Sequence, residues 1–238
     1  MELLERHNAA QREYFERTEK ATMVPAGSRY VRRQVEELMR FAELAPGMRV
    51  LDVGCGMGRY TLPLAARGLK VEGMDISPRL LERLRAFAGE GSDIPLHHAD
   101  VLDPPTALGG VFDAVIGFFT LHHLHDLRRC FEGMVLLAKP GAAVAFLEPN
   151  PFNPSYYVQL ALTPGMSWEG DGGLVRMRRR VVEPAMRGAG LADFRLERFG
   201  ALPPRLANRA RGPALERALE RSIPRPLLAF QLFGARRP

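Results

Sequence analysis

The chain has 238 residues, 46% of them hydrophobic and 25% charged, with a net charge of +6. That length suits one domain with a full core, and no apolar run approaches the roughly 20 residues of a membrane-spanning helix. Two cysteines, Cys55 and Cys130, exclude a disulfide framework and a metal-type spacing. The charged opening MELLERHNAAQREYFERTEK does not read as a secretory signal, so a soluble cytoplasmic protein is expected.

The charge is uneven. Residues 1–140 carry 18 Lys and Arg against 19 Asp and Glu, whereas residues 141–238 carry 15 against 8. A basic second half suits nucleic acid, an anionic substrate or a membrane surface. Lys20, Lys70 and Lys139 are the only lysines, so a coding preference for arginine is the plainer reading.

Residues 1–45 are expected to form two helices. Leu3, Leu4, Tyr14 and Phe15 mark the first, and Val31, Val35, Leu38, Met39 and Ala42 mark the second. Pro46-Gly47 closes the second. Strand and helix then alternate. MRVLDVG is a strand, and GRYTLPLAARG a helix stopped by Gly68. KVEGMDI is a strand. Ser77 caps a helix with Pro78 in its first turn, SPRLLERLRAFAG. IPLHHADV and VFDAVIGFF are strands, LRRCFEGMVLLAKPG is a helix, and AAVAFLEP is the fifth strand. This alternation implies a parallel sheet covered on both faces. After Pro149 the pattern loosens into a segment rich in Pro, Gly and aromatics, with a short helix expected at 154–162. A helix (RMRRRVVEPAMRGAG), a strand (DFRLERFG), an insertion with a short helix at 203–226 and a last strand (LLAFQLFGARR) follow.

The first strand runs into Gly54, Gly56 and Gly58. Glycines at a strand-to-helix turn let the chain turn sharply and let a ligand approach the backbone. The dinucleotide fingerprint G-x-G-x-x-G places its third glycine three residues after the second, but here the spacing is G-x-G-x-G. Asp52 also precedes the first glycine by two, and a carboxylate there would repel a pyrophosphate. Both features suit a ligand with a cationic amine and no phosphate.

VLDVGCGMG resembles the first motif of the class I S-adenosylmethionine-dependent methyltransferases, and the likeness continues in order over residues 49–149. VEGMDIS resembles the second motif, which implies that Asp75, followed by Ile76, takes the ribose hydroxyls. HHADV resembles the third, with Asp100 facing the adenine amine and Val101 beside the ring. FDAVIGFFTLHHL resembles the segment over strand four, where Gly117 and Phe118 line the methionine end. Asp52, Gly54, Cys55 and Gly56 would cradle that end. The family's fold is α/β, Rossmann-like and doubly wound, with a mostly parallel seven-stranded sheet whose last strand is reversed. N-terminal helices and a lid-like insertion after strand five would complete it. One domain is expected over 1–238, with a helical cap at 1–45, a cofactor-binding core at 46–149, and a substrate-side insertion and final strands at 150–238. The N-terminal segment resembles a cofactor-covering segment, in which Tyr14, Arg29 and Tyr30 would reach the methionine carboxylate.

Methyl transfer needs the acceptor held in line and, for a hydroxyl, a base. His123 and then His122, in LHHLHD after strand four, are the first candidates. Glu148, at the end of strand five, is the second, because alternation would turn it to the pocket. DPPT at 103–106 resembles an amino-methylating signature but follows strand three instead of strand four. No metal site is expected. The implied activity is methylation of oxygen or nitrogen on a small molecule that is aromatic, lipid-like or anionic, in secondary or cofactor metabolism. An RNA methyltransferase and a non-catalytic cofactor binder are the alternatives. Phe152, Tyr156, Tyr157, Met166 and Trp168 would face an apolar acceptor, and RMRRR at 176–180 an anionic one. The arginine- and leucine-rich stretch 205–228 would rest on a membrane if the acceptor were a lipid. A nucleic-acid or membrane partner is not favoured, and a monomer or homodimer is expected.

Overall fold

The structure, a computed structural model, describes residues 22–162, 168 and 172–238. Seven strands form one sheet in the order β3-β2-β1-β4-β5-β7-β6. They are β1 (Arg49–Val53), β2 (Lys70–Asp75), β3 (Leu96–His98), β4 (Phe112–Phe118), β5 (Ala138–Pro149), β6 (Ala192–Phe199) and β7 (Phe230–Arg236). The first five run parallel, and β7 is antiparallel to both β5 and β6. The expected seven-stranded sheet with a reversed last strand is therefore present.

Alternation along the central strands feeds two cores. Leu51, Val115, Val144, Phe146 and Phe233 face one way, and Val50, Ala114, Ile116, Leu147 and Leu232 the other. The first face is covered by α4 (Leu127–Leu137) and α6 (Arg179–Gly188), the second by α1 (Arg29–Ala42). Ser28 caps α1 by accepting the Val31 N–H, and Val31, Val35, Leu38 and Phe41 form its buried stripe. Each fully buried side chain of this size contributes about 1.5–3 kcal/mol, which is what fixes α1 to the sheet. A short α2 (Thr61–Ala65) and α3 (Pro78–Ala88) cover β2.

Some boundaries differ from expectation. The helix before β5 ends at Leu137, because Ala138 already pairs with Phe112. The helix after the glycines is only Thr61–Ala65, since Gly54 to Gly58 spend their backbone on the turn. β3 has three residues, and Asp100 then accepts the Leu102 N–H in a local turn. The short helix expected at 154–162 is α5 (Pro154–Leu162). The first expected N-terminal helix lies outside the described residues. The insertion before β7 holds α7 (Gly212–Ser222), which turns Glu216 inward and leaves Leu215 exposed. The reason is Arg33 on α1, whose guanidinium meets Glu216 at 3.1 Å and Glu220 at 2.7 Å. Among the described residues, no helix is long and apolar enough to cross a membrane.

Candidate active site

The chain winds outward from β1 through β2 to β3, then returns to lay β4 on the other side of β1. An open parallel sheet leaves its binding crevice at such a reversal, beyond the carboxyl ends of the strands. A cavity of about 280 Å³ lies there, lined by the turns after β1, β2, β3 and β4.

The turn after β1 is the cavity's floor. Gly54, Gly56 and Gly58 have φ of 71°, 51° and 86°, the left-handed region that side chains resist. A Cβ on Gly54 would lie 2.5 Å from the Thr120 methyl. Thr120 is fixed in turn by its hydroxyl, which donates to the carbonyls of Val53 at 3.1 Å and Phe118 at 3.2 Å. Asp75 closes the turn from β2. Its Oδ2 accepts the Gly56 N–H at 2.8 Å, and its Oδ1 accepts the Ser77 N–H at 2.9 Å. Burial pushes this carboxyl up, while the N–H groups of Ser77, Gly56 and Ile76 act in the opposite direction. Ile76, Asp100 and Val101 line the cavity on the β2 and β3 side. Cys55 also lines it, but its sulfur packs onto Gly73 of β2. Burial pushes that thiol well up, so it is inert.

Asp52 lies beneath the floor and does not line the cavity. It is 2% exposed, and its Oδ2 accepts the Thr61 hydroxyl at 2.7 Å, fixing the start of α2. Burial lifts its carboxyl to about 7; the Thr61 hydroxyl opposes the rise and Asp75 adds to it. An unfolded aspartate titrates near 3.9, so the folded chain keeps a proton that the unfolded chain loses between about pH 4 and pH 7. The stabilisation from this proton is complete below about pH 4 and is lost as pH rises through about 7. Asp52→Asn should therefore flatten that slope and stabilise the fold above pH 7 by up to about 4 kcal/mol. Urea unfolding of both proteins across this range checks it; an unchanged slope would contradict it.

Aromatic rings form the cavity's opposite wall. Tyr60 stacks on Phe118 with centroids 4.2 Å apart and tilts against Phe119 at 5.8 Å. Phe119 meets Phe230 edge-on at 5.7 Å, and Phe230 meets Tyr30 at 5.8 Å. Gln34 is 2% exposed and accepts the Tyr60 hydroxyl at 2.8 Å. Burial pushes the Tyr60 phenol up to about 12 and the Tyr30 phenol higher still, so both remain proton donors. Arg29 corrects an expectation. It is exposed and donates to the carbonyls of Arg209 and Ala210, away from the cavity, because its place at the first turn of α1 points it to the 203–212 segment. Tyr14 lies outside the described residues.

The turn Leu121–His123 stands above β5. Glu148 is fully buried under it, on the same face of β5 as Val144 and Phe146. Its Oε1 accepts the Leu121 N–H at 2.7 Å, and its Oε2 meets His122 Nδ1 at 2.6 Å. A carboxylate only accepts, so Nδ1 carries a proton toward Glu148, and in the neutral imidazole the lone pair is then on Nε2. His122 and His123 both line the cavity, their rings 4.0 Å apart. Glu148 does not line it. Strand alternation turned it under the loop, so it orients His122 and is not itself exposed to a ligand. The sequence favoured His123, whereas the carboxylate holds His122. Arg176 braces the segment that follows this turn, donating to the carbonyls of Leu124 and His125 at 3.0 Å each. The other residues expected at the acceptor divide. Tyr156 lines the cavity, Phe152 and Trp168 are exposed, Tyr157 donates to the Pro151 carbonyl, and Met166 lies outside the described residues.

Sequence reasoning missed Gln34, Tyr60, Phe119, Thr120 and Phe230. Gln34 had a signal, a polar residue interrupting the apolar stripe of α1. The Thr120–Gly54 contact had none, since it depends on the register of β1 against β4.

Residues 50–141 match the family model described as a methyltransferase domain. The chain is 35% identical over 106 residues to the ubiquinone biosynthesis O-methyltransferase of Aromatoleum aromaticum, covering 44% of this chain and 45% of that protein. It is 32% identical over 125 residues to the ajmaline N-methyltransferase of Rauvolfia serpentina, covering 49% and 43%. The chain thus spans about half the length of the curated relatives it matches. Among solved structures, geranyl diphosphate C-methyltransferase of Streptomyces coelicolor, in complex with Mg²⁺, geranyl diphosphate and S-adenosyl-L-homocysteine, shares the fold. The TM-score is 0.65 at 19% identity, over 98% of each chain.

Proposed function

We propose, from the premise that residues 50–141 are a class I S-adenosylmethionine-dependent methyltransferase domain, that this chain methylates an oxygen or nitrogen of a small molecule and that His122 takes the acceptor's proton. The relatives' names span oxygen, nitrogen and carbon acceptors, so the family leaves the acceptor atom open. The His122–Glu148 pair, 2.6 Å apart at the cavity wall, carries the choice. An alkylation that releases a proton needs a group to receive it, and an imidazole with Nδ1 fixed to a carboxylate presents Nε2 for that purpose.

The residues around the cavity suit the cofactor. Asp75, anchored by two backbone N–H groups, would take the ribose hydroxyls. Asp100 and Val101 would hold the adenine, and the glycine turn would lie against the methionine end. When bound, S-adenosylmethionine supplies the electrophilic methyl. The protein's part is to exclude water, align the acceptor and accept its proton. Asp52, under the floor, supports the turn through Thr61.

Tritium transfer from methyl-labelled S-adenosylmethionine, with products separated into small-molecule, RNA and protein fractions, tests the reading. Label in the small-molecule fraction is expected; label only in RNA would overturn it. Arg176→Ala should lower turnover about tenfold, with affinity for S-adenosylhomocysteine unchanged, because the segment that follows the turn carrying His122 loses two hydrogen bonds from a charged group. Arg176→Lys, with one ammonium in place of a fork, should recover part of the loss. Steady-state kinetics of the three proteins decides it, and equal turnover would remove the brace from the account.

A further inference from the structure

Phe119 has φ +56°, and among the described cavity-lining residues it is the one non-glycine in the left-handed region. The conformation is costly for a bulky side chain and persists only where its surroundings impose it. Here the Phe119 N–H is tied to the Leu147 carbonyl at 2.7 Å. The chain must turn at this point, so that Thr120 falls beneath Gly54 and His122 falls over Glu148. Glycine would make the same turn without strain.

The strain has a visible product. Successive residues of an extended strand point to opposite faces, yet Phe118 and Phe119 both lie against Tyr60. The turn breaks the alternation and sets a second ring beside the first, half-buried and edge-on to Phe230. Phe119 follows β4, and Phe230 begins β7. The expected ribose and adenine contacts, Asp75 at the end of β2 and Asp100 in the turn after β3, come from the other side of β1. Phe119 therefore sits on the acceptor's side of the cavity, together with His122.

We propose that Phe119 is a specificity-determining residue that stacks on the acceptor, and that the acceptor presents a flat, apolar ring. The proposal rests on the methyl-transfer reading above and narrows it. Phe119 and Phe230 both line the cavity and stand at 72° to one another, so a ring laid against both would meet the face of one and the edge of the other, arrangements that aromatic pairs favour. A saturated ring of the same size keeps the burial and loses that match.

The test uses the full chain loaded with S-adenosylhomocysteine, probed with naphthol and its saturated counterpart decalol, in wild type, Phe119→Gly and Phe119→Ala. Naphthol should bind wild type more tightly than decalol and lose about tenfold in affinity in both variants, with S-adenosylhomocysteine affinity unchanged. Phe119→Gly should melt above Phe119→Ala, because glycine relieves the backbone while alanine keeps the strain. Naphthol binding that is absent, no tighter than decalol, or unchanged in Phe119→Gly would overturn the proposal. So would a Phe119→Gly that melts at or below Phe119→Ala. Failure of S-adenosylhomocysteine itself to bind wild type would instead overturn the methyltransferase reading.

Discussion

His122→Asn is expected to lower the rate of methyl transfer about 10²–10⁴-fold, while S-adenosylhomocysteine affinity stays within about twofold of wild type. Asparagine can still donate to Glu148, so the buried carboxylate keeps a partner and the Leu121 turn keeps its anchor. What disappears is the Nε2 lone pair. Glu148→Gln approaches the same point from behind. Its amide would donate to Nδ1, move the proton to Nε2 and leave no acceptor toward the ligand, so a loss of similar size is expected. The pH profile separates this from structural damage. Both variants should lose the acid limb of the rate profile, which a destabilised but intact base would retain. Turnover within about twofold of wild type in both would leave alignment as the sole source of rate.

Asp75→Asn is expected to weaken S-adenosylhomocysteine binding about 100-fold, the loss of a charge-assisted contact to the ribose. The substitution also sets an amide NH₂ against a backbone N–H, since both carboxylate oxygens already accept, from Gly56 and Ser77. The glycine turn is therefore expected to loosen along with the ribose contact. Calorimetric titration reads the affinity, and circular dichroism checks the fold. Affinity equal to wild type would remove Asp75 from the ribose site.

The alternation of strands and helices, the glycine turn and the acids after β2 and β3 were legible because each is local. A run of apolar residues into G-x-G-x-G states its own conformation. Ser77 before Pro78 states a helix start, and the structure has both. The side of the cavity facing the acceptor was less legible because it is assembled across the sheet. Glu148 stood out as an acid at the end of β5, but its partner depends on the turn 121–123 crossing β5, so its position behind His122 was not visible. Asp52 was expected to face the ligand, and the short α2 drew it under the floor through Thr61. Arg29 was read from its neighbours in sequence, whereas α1's orientation turned it toward Arg209. Phe119 was missed because a left-handed phenylalanine leaves no mark in composition or periodicity.

Calorimetric titration of the full chain with S-adenosylhomocysteine, set beside the same titration with reduced nicotinamide dinucleotide, tests the central claim most directly. One micromolar site for S-adenosylhomocysteine and no heat from the dinucleotide is the predicted result. No binding of S-adenosylhomocysteine, or tighter binding of the dinucleotide, would contradict the account.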